Sequence, residues 1–370
     1  MSRRPVYSAA LLTVLSAATS ALGADARDKV FVGYLYGSTR GVDFKLYTHL
    51  CHAFLLPDAD GGIKKNPNVP NKELAADAHK AGVKVLVSLG GWGFDEQFAA
   101  IVSKPEAEDR YVKAVLEAVD GFDYDGIDLD WEYPDTAKEI EGFERLCRRF
   151  RKELDAIGSR KGRPMFLTMA ASANPGTLKW LGKEFLLETM DWLNVMTYDY
   201  AGEWSDHAGH NSPLFASTKP AGRPGLSTEK TMKYLLEQRD IPADRLAVGI
   251  PLYGRGFAVA EPYAPTKGAP RIRMPQGNFN NLERLRKDQG WTRTWDDETK
   301  NPWLLSPDHK IVIGYDDAES VRLKADWAAK QGFRGVFFWQ IGADRMADGS
   351  HPLQEAARRA WDEGAEKVKP

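Results

Sequence analysis

Cysteine is scarce in this chain, with only Cys51 and Cys147 among 370 residues. A disulfide framework of the kind that holds small secreted domains together is therefore excluded. Each cysteine lies in an apolar stretch, Cys51 in a strand-like run and Cys147 on one face of a helical pattern. We predict two buried free thiols, while the sequence alone leaves a single disulfide between them open.

Long runs of one charge are also missing. Lys and Arg number 50 against 52 Asp and Glu, which gives a net charge of -2. Nucleic acids and acidic membranes bind basic patches, so this balance predicts neither as a partner. A neutral partner fits better, and the 11 tryptophans are suited to stacking on flat apolar faces such as sugar rings.

The first two dozen residues form a segment of their own. Arg3 and Arg4 precede an apolar run that continues in small residues to Ala24. This order is typical of a signal peptide, and the run is too short and too rich in Ser and Thr for a membrane span. We predict a signal peptide at 1–24 and one folded domain over 25–370. The protein is then expected to be secreted or periplasmic, monomeric, and free of the membrane once the signal is removed.

The rest of the sequence alternates short apolar runs with longer amphipathic ones. Near-continuous hydrophobic strands between helices are typical of a parallel sheet buried on both faces. Eight such units predict an α/β fold, the (β/α)8 TIM barrel, whose active site lies at the carboxyl ends of the strands. An open doubly wound sheet is the alternative, but no glycine-rich phosphate loop follows the first run. The predicted strands are Val30–Tyr36, His49–Leu56, Val83–Leu89, Gly126–Trp131, Met165–Ala171, Trp192–Tyr198, Leu246–Leu252 and Gly335–Trp339.

Helical patterns fall between the predicted strands. The clearest is Ala137–Leu154, whose apolar residues recur at a spacing of three or four. The gap between the seventh and eighth strands is too long for one loop and one helix. Residues 258–310 within it are rich in Pro, Gly, Asn and aromatics, and predict a small insertion subdomain. Further helices are predicted near Lys72–Lys80, Glu106–Val119, Thr228–Arg239 and Ala318–Lys330.

The fourth predicted strand carries three carboxylates in an otherwise apolar run. Side chains alternate along a strand, so Asp128, Asp130 and Glu132 point to one face and Asp125 to the other. Crowded carboxylates disfavour one another's ionisation, so at least one stays protonated near neutral pH. A protonated acid beside an ionised one is the equipment that cleaves a glycosidic bond. A metal cluster and a solvated acidic loop are the alternative readings.

With this motif closing its fourth strand, the chain resembles the chitinases of glycoside hydrolase family 18. The likeness covers residues 29–345 and implies a barrel enzyme that hydrolyses β-1,4-linked N-acetylglucosamine in chitin or its oligosaccharides. Four further segments fall in that family's order and spacing: Ser88-Leu89-Gly90-Gly91-Trp92, Met196-Thr197-Tyr198-Asp199-Tyr200, Gly249-Ile250-Pro251-Leu252-Tyr253-Gly254-Arg255 and Gly335-Val336-Phe337-Phe338-Trp339.

The resemblance also implies a retaining mechanism in which the substrate's own 2-acetamido oxygen attacks the anomeric carbon. Glu132 would be the general acid, and Asp130 would orient the acetamido N–H. Asp128 would share a proton or a hydrogen bond with Asp130, so their titrations would be coupled. Tyr198 would donate its hydroxyl to the acetamido oxygen, and Asp199 would bind the same sugar.

Ten more residues are implied as substrate-binding. Trp339 would form the floor under the distorted sugar, and Trp92 and Trp204 would stack on sugars of the leaving-group side. Ser88 and Tyr34 would lie where they reach the innermost acid. The full set is Tyr34, Phe54, Ser88, Gly91, Trp92, Met196, Trp204, Tyr253, Arg255 and Trp339.

Two other functions stay open at this point, a non-catalytic chitinase-like lectin and an endo-β-N-acetylglucosaminidase acting on glycoprotein glycans. Non-catalytic relatives usually lack the acid found here at Glu132, and the aromatic residues favour a linear polymer. His207 and His210 lie three apart, but no cysteine or paired acid motif supports a metal site with them. We therefore predict no metal and no cofactor.

Overall fold

In a computed structural model, which describes residues 29–366 apart from 224, 271 and 273–276, eight parallel strands close into a barrel. The predicted signal peptide lies outside the described residues. The (β/α)8 fold is confirmed. The described strands are β1 (Val30–Tyr36), β2 (His49–Leu55), β3 (Lys84–Gly90), β4 (Gly126–Asp130), β5 (Phe166–Ser172), β6 (Trp192–Met196), β7 (Leu246–Pro251), β8 (Arg255–Phe257), β9 (Thr292–Asp296), β10 (Asn301–Leu305), β11 (Val312–Gly314) and β12 (Gly335–Trp339).

The barrel runs from β1 through β7 in chain order, and β12 closes it between β7 and β1. Alternation along each strand divides the apolar residues into two layers. In β1, Val32 and Tyr34 belong to the cluster inside the barrel, whereas Phe31 and Leu35 pack between sheet and helices. Strands buried on both faces explain why the sequence shows near-continuous apolar runs.

The helices cover the outside of the barrel. None of those described combines the length and the apolar content needed to cross a bilayer. They are α1 (Lys72–Lys80), α2 (Asp95–Val102), α3 (Pro105–Gly121), α4 (Ala137–Lys161), α5 (Pro175–Leu178), α6 (Lys183–Thr189), α7 (Thr228–Lys233), α8 (Phe279–Asp288), α9 (Ala318–Lys330) and α10 (Pro352–Glu366).

Helix α4 runs two turns beyond its predicted end. Thr136 and Glu139 form a reciprocal capping box at its start, which satisfies two backbone N–H groups. The helix continues past Leu154 because Ile157 extends the buried face, and it stops at Gly162 in the left-handed conformation. The predicted helix 228–239 is likewise only partly regular, since α7 passes into a π-helical turn at Tyr234–Gln238.

Both cysteines are buried and unpaired, as predicted. Cys51 belongs to the cluster inside the barrel, and Cys147 belongs to the layer between sheet and helices. The strand wall lies between the two thiols. Trp131 also lies in the outer layer, stacked on Phe98 with ring centroids 5.1 Å apart, in accord with its parity.

The segment between β7 and β12 carries a second sheet. Strands β8, β11, β10 and β9 pair antiparallel in that order, so the sheet reaches a few residues past both ends of the predicted 258–310 insertion. A buried ion pair lies where the chain leaves this second sheet, just after β11. The Lys324 ammonium on α9 lies 2.7 and 2.8 Å from the two carboxylate oxygens of Asp316, which follows β11, and also donates to Ser212 at 2.9 Å.

Candidate active site

A cleft of about 1820 Å³ opens at the carboxyl ends of the barrel strands. Active sites of this fold lie at that edge. Its walls come from the segments that follow the barrel strands and from the insertion. Thirteen of the fifteen predicted site residues line it: Tyr34, Phe54, Gly91, Trp92, Asp130, Glu132, Met196, Tyr198, Asp199, Trp204, Tyr253, Arg255 and Trp339.

The three predicted acids lead from the barrel interior to the cleft. Asp128 is fully buried, Asp130 at the end of β4 is 4% exposed, and Glu132 lies just beyond the strand, in the cleft wall. Asp125 points outward, where its carboxylate accepts a hydrogen bond from the backbone N–H of Val85 and pairs with His79 of α1 at 2.7 Å. The predicted split by parity is therefore observed.

Asp128 does not reach the cleft, and neither does Ser88. The hydroxyl of Ser88 donates to Asp128 Oδ2 at 2.7 Å, and Tyr34 donates to the same oxygen at 2.9 Å. Ser88 is fully buried, so it contacts the innermost acid, as the resemblance implies, and does not line the cleft where a sugar would bind. The other oxygen, Oδ1, accepts from Thr168 at 2.6 Å and from Asn194 at 3.2 Å.

Electrostatics separate the two outer acids from ordinary carboxyls. Burial raises the pKa of Asp130 well above its usual range, and the charges of Glu132 and Asp128 raise it further. Its Oδ1 atom has no hydrogen-bond partner among the described residues. Burial also raises the pKa of Glu132 to about 7, with the hydrogen bond from Tyr133 lowering it and the charge of Asp199 raising it. A carboxyl with this pKa can both give and take a proton near neutral pH.

Asp199 is held in the cleft wall by three neighbours. Its carboxylate accepts from the Tyr253 hydroxyl at 2.8 Å and from Arg255 Nε at 2.8 Å. Its backbone has a φ of 57°, in the left-handed region that Asp tolerates better than most residues. The side chain of Asn211 fixes that turn, because its Oδ1 accepts the Asp199 N–H and its Nδ2 donates to the carbonyl of Tyr253, both at 3.0 Å.

Trp339 lies at the bottom of the cleft in an aromatic cup. Its ring stacks on Phe54 at 5.6 Å between centroids, and the rings of Tyr34 and Tyr36 lie at 5.8 and 5.9 Å. Gly91 is required beside the cup, because it has a φ of 87° and a Cβ there would come within 2.7 Å of the Phe54 ring. The cup therefore presents a fixed apolar surface next to the acids.

The exposed aromatics of the described residues are concentrated in this cleft. Trp92 is 79% exposed, Tyr36 55% and Trp204 47%, and all three line it. Rings this exposed contribute little to packing of the fold, so they point to a ligand with flat apolar faces. Arg255 lies over the ring of Trp204 at 5.0 Å and ties it to the Asp199 group.

Sequence reasoning missed several residues that support the acids. Tyr133, Thr168, Asn194 and Asn211 each hydrogen-bond a predicted site residue, and Tyr36 extends the aromatic cup. Parity gives a signal for two of them, since Thr168 and Asn194 are polar residues on inward-facing positions of otherwise apolar strands. Among the described residues, no group of three or more His, Cys, Asp or Glu is arranged to hold a metal ion.

Comparisons with known proteins find relatives of this chain among the chitinases. A chitinase 1 from Aphanocladium album is 27% identical, over 92% of this chain and 89% of that protein. A class V chitinase from Arabidopsis thaliana is 29% identical, over 87% and 86% of the two chains. Chitinase A1 from Niallia circulans is also 29% identical, but this chain spans 41% of its length.

Solved structures show the same fold. The Group IV chitinase of Ostrinia furnacalis in complex with allosamidin is 25% identical with a TM-score of 0.79, over 91% of this chain and 100% of that one. A chitinase from Cycas revoluta in complex with (GlcNAc)4 is 25% identical with a TM-score of 0.76, over 90% and 99%. The model of the family described as glycosyl hydrolases family 18 matches residues 30–344. This chain belongs to the glycosyl hydrolases of family 18.

Proposed function

We propose that this protein is a chitinase that hydrolyses β-1,4 linkages between N-acetylglucosamine units with retention of configuration. One observation carries the proposal: the carboxyl of Glu132, with a pKa of about 7, lies in the wall of an aromatic-lined cleft with Asp130 and Asp128 behind it. Relatives of similar length are chitinases, and related structures hold allosamidin or (GlcNAc)4.

In the first step, Glu132 gives its proton to the oxygen of the scissile bond as that bond breaks. The acetamido oxygen of the same sugar attacks the anomeric carbon, and a cyclic oxazolinium ion forms. In the second step, water attacks the anomeric carbon and loses a proton to the Glu132 carboxylate while the ring opens. Because the nucleophile is tethered, the entropy of fixing a second reactant is not lost.

The neighbouring side chains would serve the positive intermediate. Asp130 would orient the acetamido N–H, and its position between two other acids keeps a proton close to that group. Tyr198 would donate to the acetamido oxygen from the opposite wall, and Asp199 would contact the same sugar while raising the pKa of the acid. Asp128 would act from below the floor of the cleft.

The aromatic surfaces would hold a linear chain. The Trp339 cup suits the sugar whose ring is distorted at the cleavage point, and Trp92 and Trp204 suit the sugars of the leaving-group side. A lectin would not need the complete line of acids. An endo-β-N-acetylglucosaminidase shares those acids, so substrate choice must be measured.

The decisive experiment compares defined N-acetylglucosamine oligomers with a high-mannose glycoprotein as substrates. We expect cleavage of the oligomers, with the product appearing first as the β-anomer in a time course. Release of glycan from the glycoprotein alone would overturn the chitinase proposal in favour of the endoglycosidase. Glu132→Gln should abolish most turnover and keep oligomer binding, and binding without turnover by the wild type would identify a lectin.

We also propose that the protein acts outside the cytoplasm, as the Arg3-Arg4 segment and the following apolar run suggest. N-terminal sequencing of the protein recovered from culture medium and from periplasm tests this proposal. A mature protein that begins near residue 25 is expected. Full-length protein retained in the cytoplasm would contradict it.

A further inference from the structure

We propose that Thr168 and Asn194 are positioning residues that keep the buried carboxylate of Asp128 ionised. Of the three acids Asp128, Asp130 and Glu132, the last two then carry the exchangeable proton. The inference deepens the proposed function and rests on it for its kinetic consequence. Neither residue lines the cleft, and both are fully buried beneath it. They act through Asp128 and not on the substrate.

The strand register puts these groups in one row. Ser88 on β3 lies beside Asp128 on β4, and Asp128 lies beside Thr168 on β5. The hydroxyls of Ser88 and Thr168 therefore reach the carboxylate from its two sides, at 2.7 and 2.6 Å. Asn194 reaches Oδ1 from β6, and its amide is oriented because Oδ1 of Asn194 accepts the indole N–H of Trp192 at 2.9 Å.

The hydrogen bonds of Asp128 fill every acceptor position of an ionised carboxylate. An ionised carboxylate offers about four acceptor positions, two on each oxygen. Oδ2 accepts from Tyr34 and Ser88, and Oδ1 accepts from Thr168 and Asn194. Protonation would turn one acceptor position into a donor, and the O–H or N–H group that faces it would lose that acceptor. The four neighbours therefore favour the charged form, against the burial that raises the pKa of Asp128.

No cation among these neighbours balances the charge. The titratable groups that face Asp128 are Tyr34 on β1, Cys51 on β2 and Asp130 on its own strand. All three are neutral when protonated, so the charge of Asp128 is stabilised by neutral donors alone. An ionised Asp128 in turn disfavours ionisation of Asp130. The proton is therefore kept on the two acids that line the cleft, Asp130 and Glu132. The other inward neighbours on β7 and β12 are the apolar Ala247 and Phe337.

A purely packing role explains these two residues poorly. Inward positions near them carry apolar side chains such as Val32, Leu86 and Ala170. A polar group in such a layer is unfavourable unless its hydrogen bonds are used. Thr168 directs its hydroxyl at the carboxylate, and Asn194 bridges the carboxylate and the Tyr34 hydroxyl, the latter at 3.0 Å.

The test removes one donor while keeping side-chain shape. Thr168→Val should lower kcat on chitooligosaccharides by about tenfold, with KM nearly unchanged, since one charge-assisted hydrogen bond is lost. The acidic limb of the kcat profile should move to higher pH by about one unit, because the ionised Asp128 has lost a donor. Thr168→Ser should restore both. Thr189→Val is the matched control, because Thr189 is equally buried but donates to the carbonyl of Phe185 in the helical shell.

A second measurement is independent of activity. Carboxyl NMR of protein labelled in aspartate, with signals assigned by Asp128→Asn and Asp130→Asn, follows each acid through pH. We expect Asp128 to ionise at lower pH than Asp130 in the wild type, and closer to it in Thr168→Val. Wild-type protein in which Asp130 ionises first overturns the inference, as does a Thr168→Val variant that loses activity with no shift in either titration.

The outcomes separate this inference from the proposed function. If the wild-type protein is inactive on every oligomer, the chitinase proposal is wrong. The NMR titration then still decides whether Asp128 is ionised. Active wild-type protein with an unchanged Thr168→Val profile contradicts the role of Thr168, and with it this inference, but leaves the chitinase proposal intact. A Thr168→Val variant that does not fold leaves the wild-type titration order as the deciding result.

Discussion

The hydroxyl of Tyr133 donates a hydrogen bond to Oε2 of Glu132 over 2.8 Å, so the residue that follows the acid in sequence also lowers its pKa. Burial and the charge of Asp199 act in the opposite direction and leave that pKa at about 7. A general acid must be protonated in the free enzyme, so kcat/KM should fall as the pH rises through about 7.

Tyr133→Phe should move this alkaline limb to higher pH. The ionised form of Glu132 loses a donor, its pKa rises, and the protonated form persists further into the alkaline range, by up to about one unit. The measurement is kcat/KM against pH. Tyr47→Phe is the control, since the hydroxyl of Tyr47 donates to Gln354 away from the cleft. An alkaline limb that stays in place, or moves to lower pH, would contradict this account.

Asn211→Ala should weaken catalysis although Asn211 itself does not line the cleft. The variant frees the Asp199 turn and its link to Tyr253, so we expect kcat/KM on oligomers to fall by about tenfold or more. Asn301→Ala is the control, because Asn301 is fully buried and donates to the Tyr315 carbonyl and to Asp316. Both variants should lose thermal stability, and only the first should lose activity in the remaining folded protein. Equal losses of activity would refute a specific role.

Trp92→Ala should weaken binding of long oligomers more than short ones. The ring is 79% exposed, so its removal leaves folding stability nearly unchanged. Stacking of this kind contributes about 1 kcal/mol, which corresponds to a several-fold rise in Kd. Calorimetry in a Glu132→Gln background measures binding without turnover. Trp295→Ala, on β9 and outside the cleft, should leave Kd unchanged, and an equal effect from both variants would argue against stacking on Trp92.

Lys324→Met should destabilise the fold strongly. It leaves the fully buried carboxylate of Asp316 without its cation, at a cost of about 3–5 kcal/mol in the free energy of unfolding. The double variant with Asp316→Asn should recover much of that loss, because no charge is then buried. Urea unfolding of wild type, both single variants and the double variant forms a complete cycle. A double variant no more stable than Lys324→Met would show that the pair is not the main contribution.

Local patterns in the sequence predict most of the barrel. Each strand is buried on both faces, so it reads as a short apolar run, and the shared face of Asp128 and Asp130 follows from strand alternation alone. Strand ends are less well predicted, because β4 stops at Asp130 and β6 at Met196, before the residues that form the cleft. Glu132 and Tyr198 are therefore positioned by the turns after the strands and not by the strands themselves.

Sequence spacing alone does not show what most of the supporting residues contact. The resemblance places Ser88 within reach of Asp128, and the register of β3 against β4 directs its hydroxyl there, below the cleft. Thr168 and Asn194 lie on separate strands, and their common target emerges only when the barrel closes. Asn211 follows β6 in a loop without regular structure, so no periodicity indicates that it holds Asp199.

The insertion between β7 and β12 is attached to the barrel at the point where it begins and at the point where the chain returns. Strand β8 starts at Arg255, close behind the end of β7 at Pro251, and the Asp316–Lys324 ion pair secures the return after β11. Between these two points the insertion is also held by α8, whose Phe279 and Leu282 pack into the main core. Replacing the remaining loops of the insertion by those of relatives, with these three attachments kept, offers a route to altered substrate reach without rebuilding the catalytic strands.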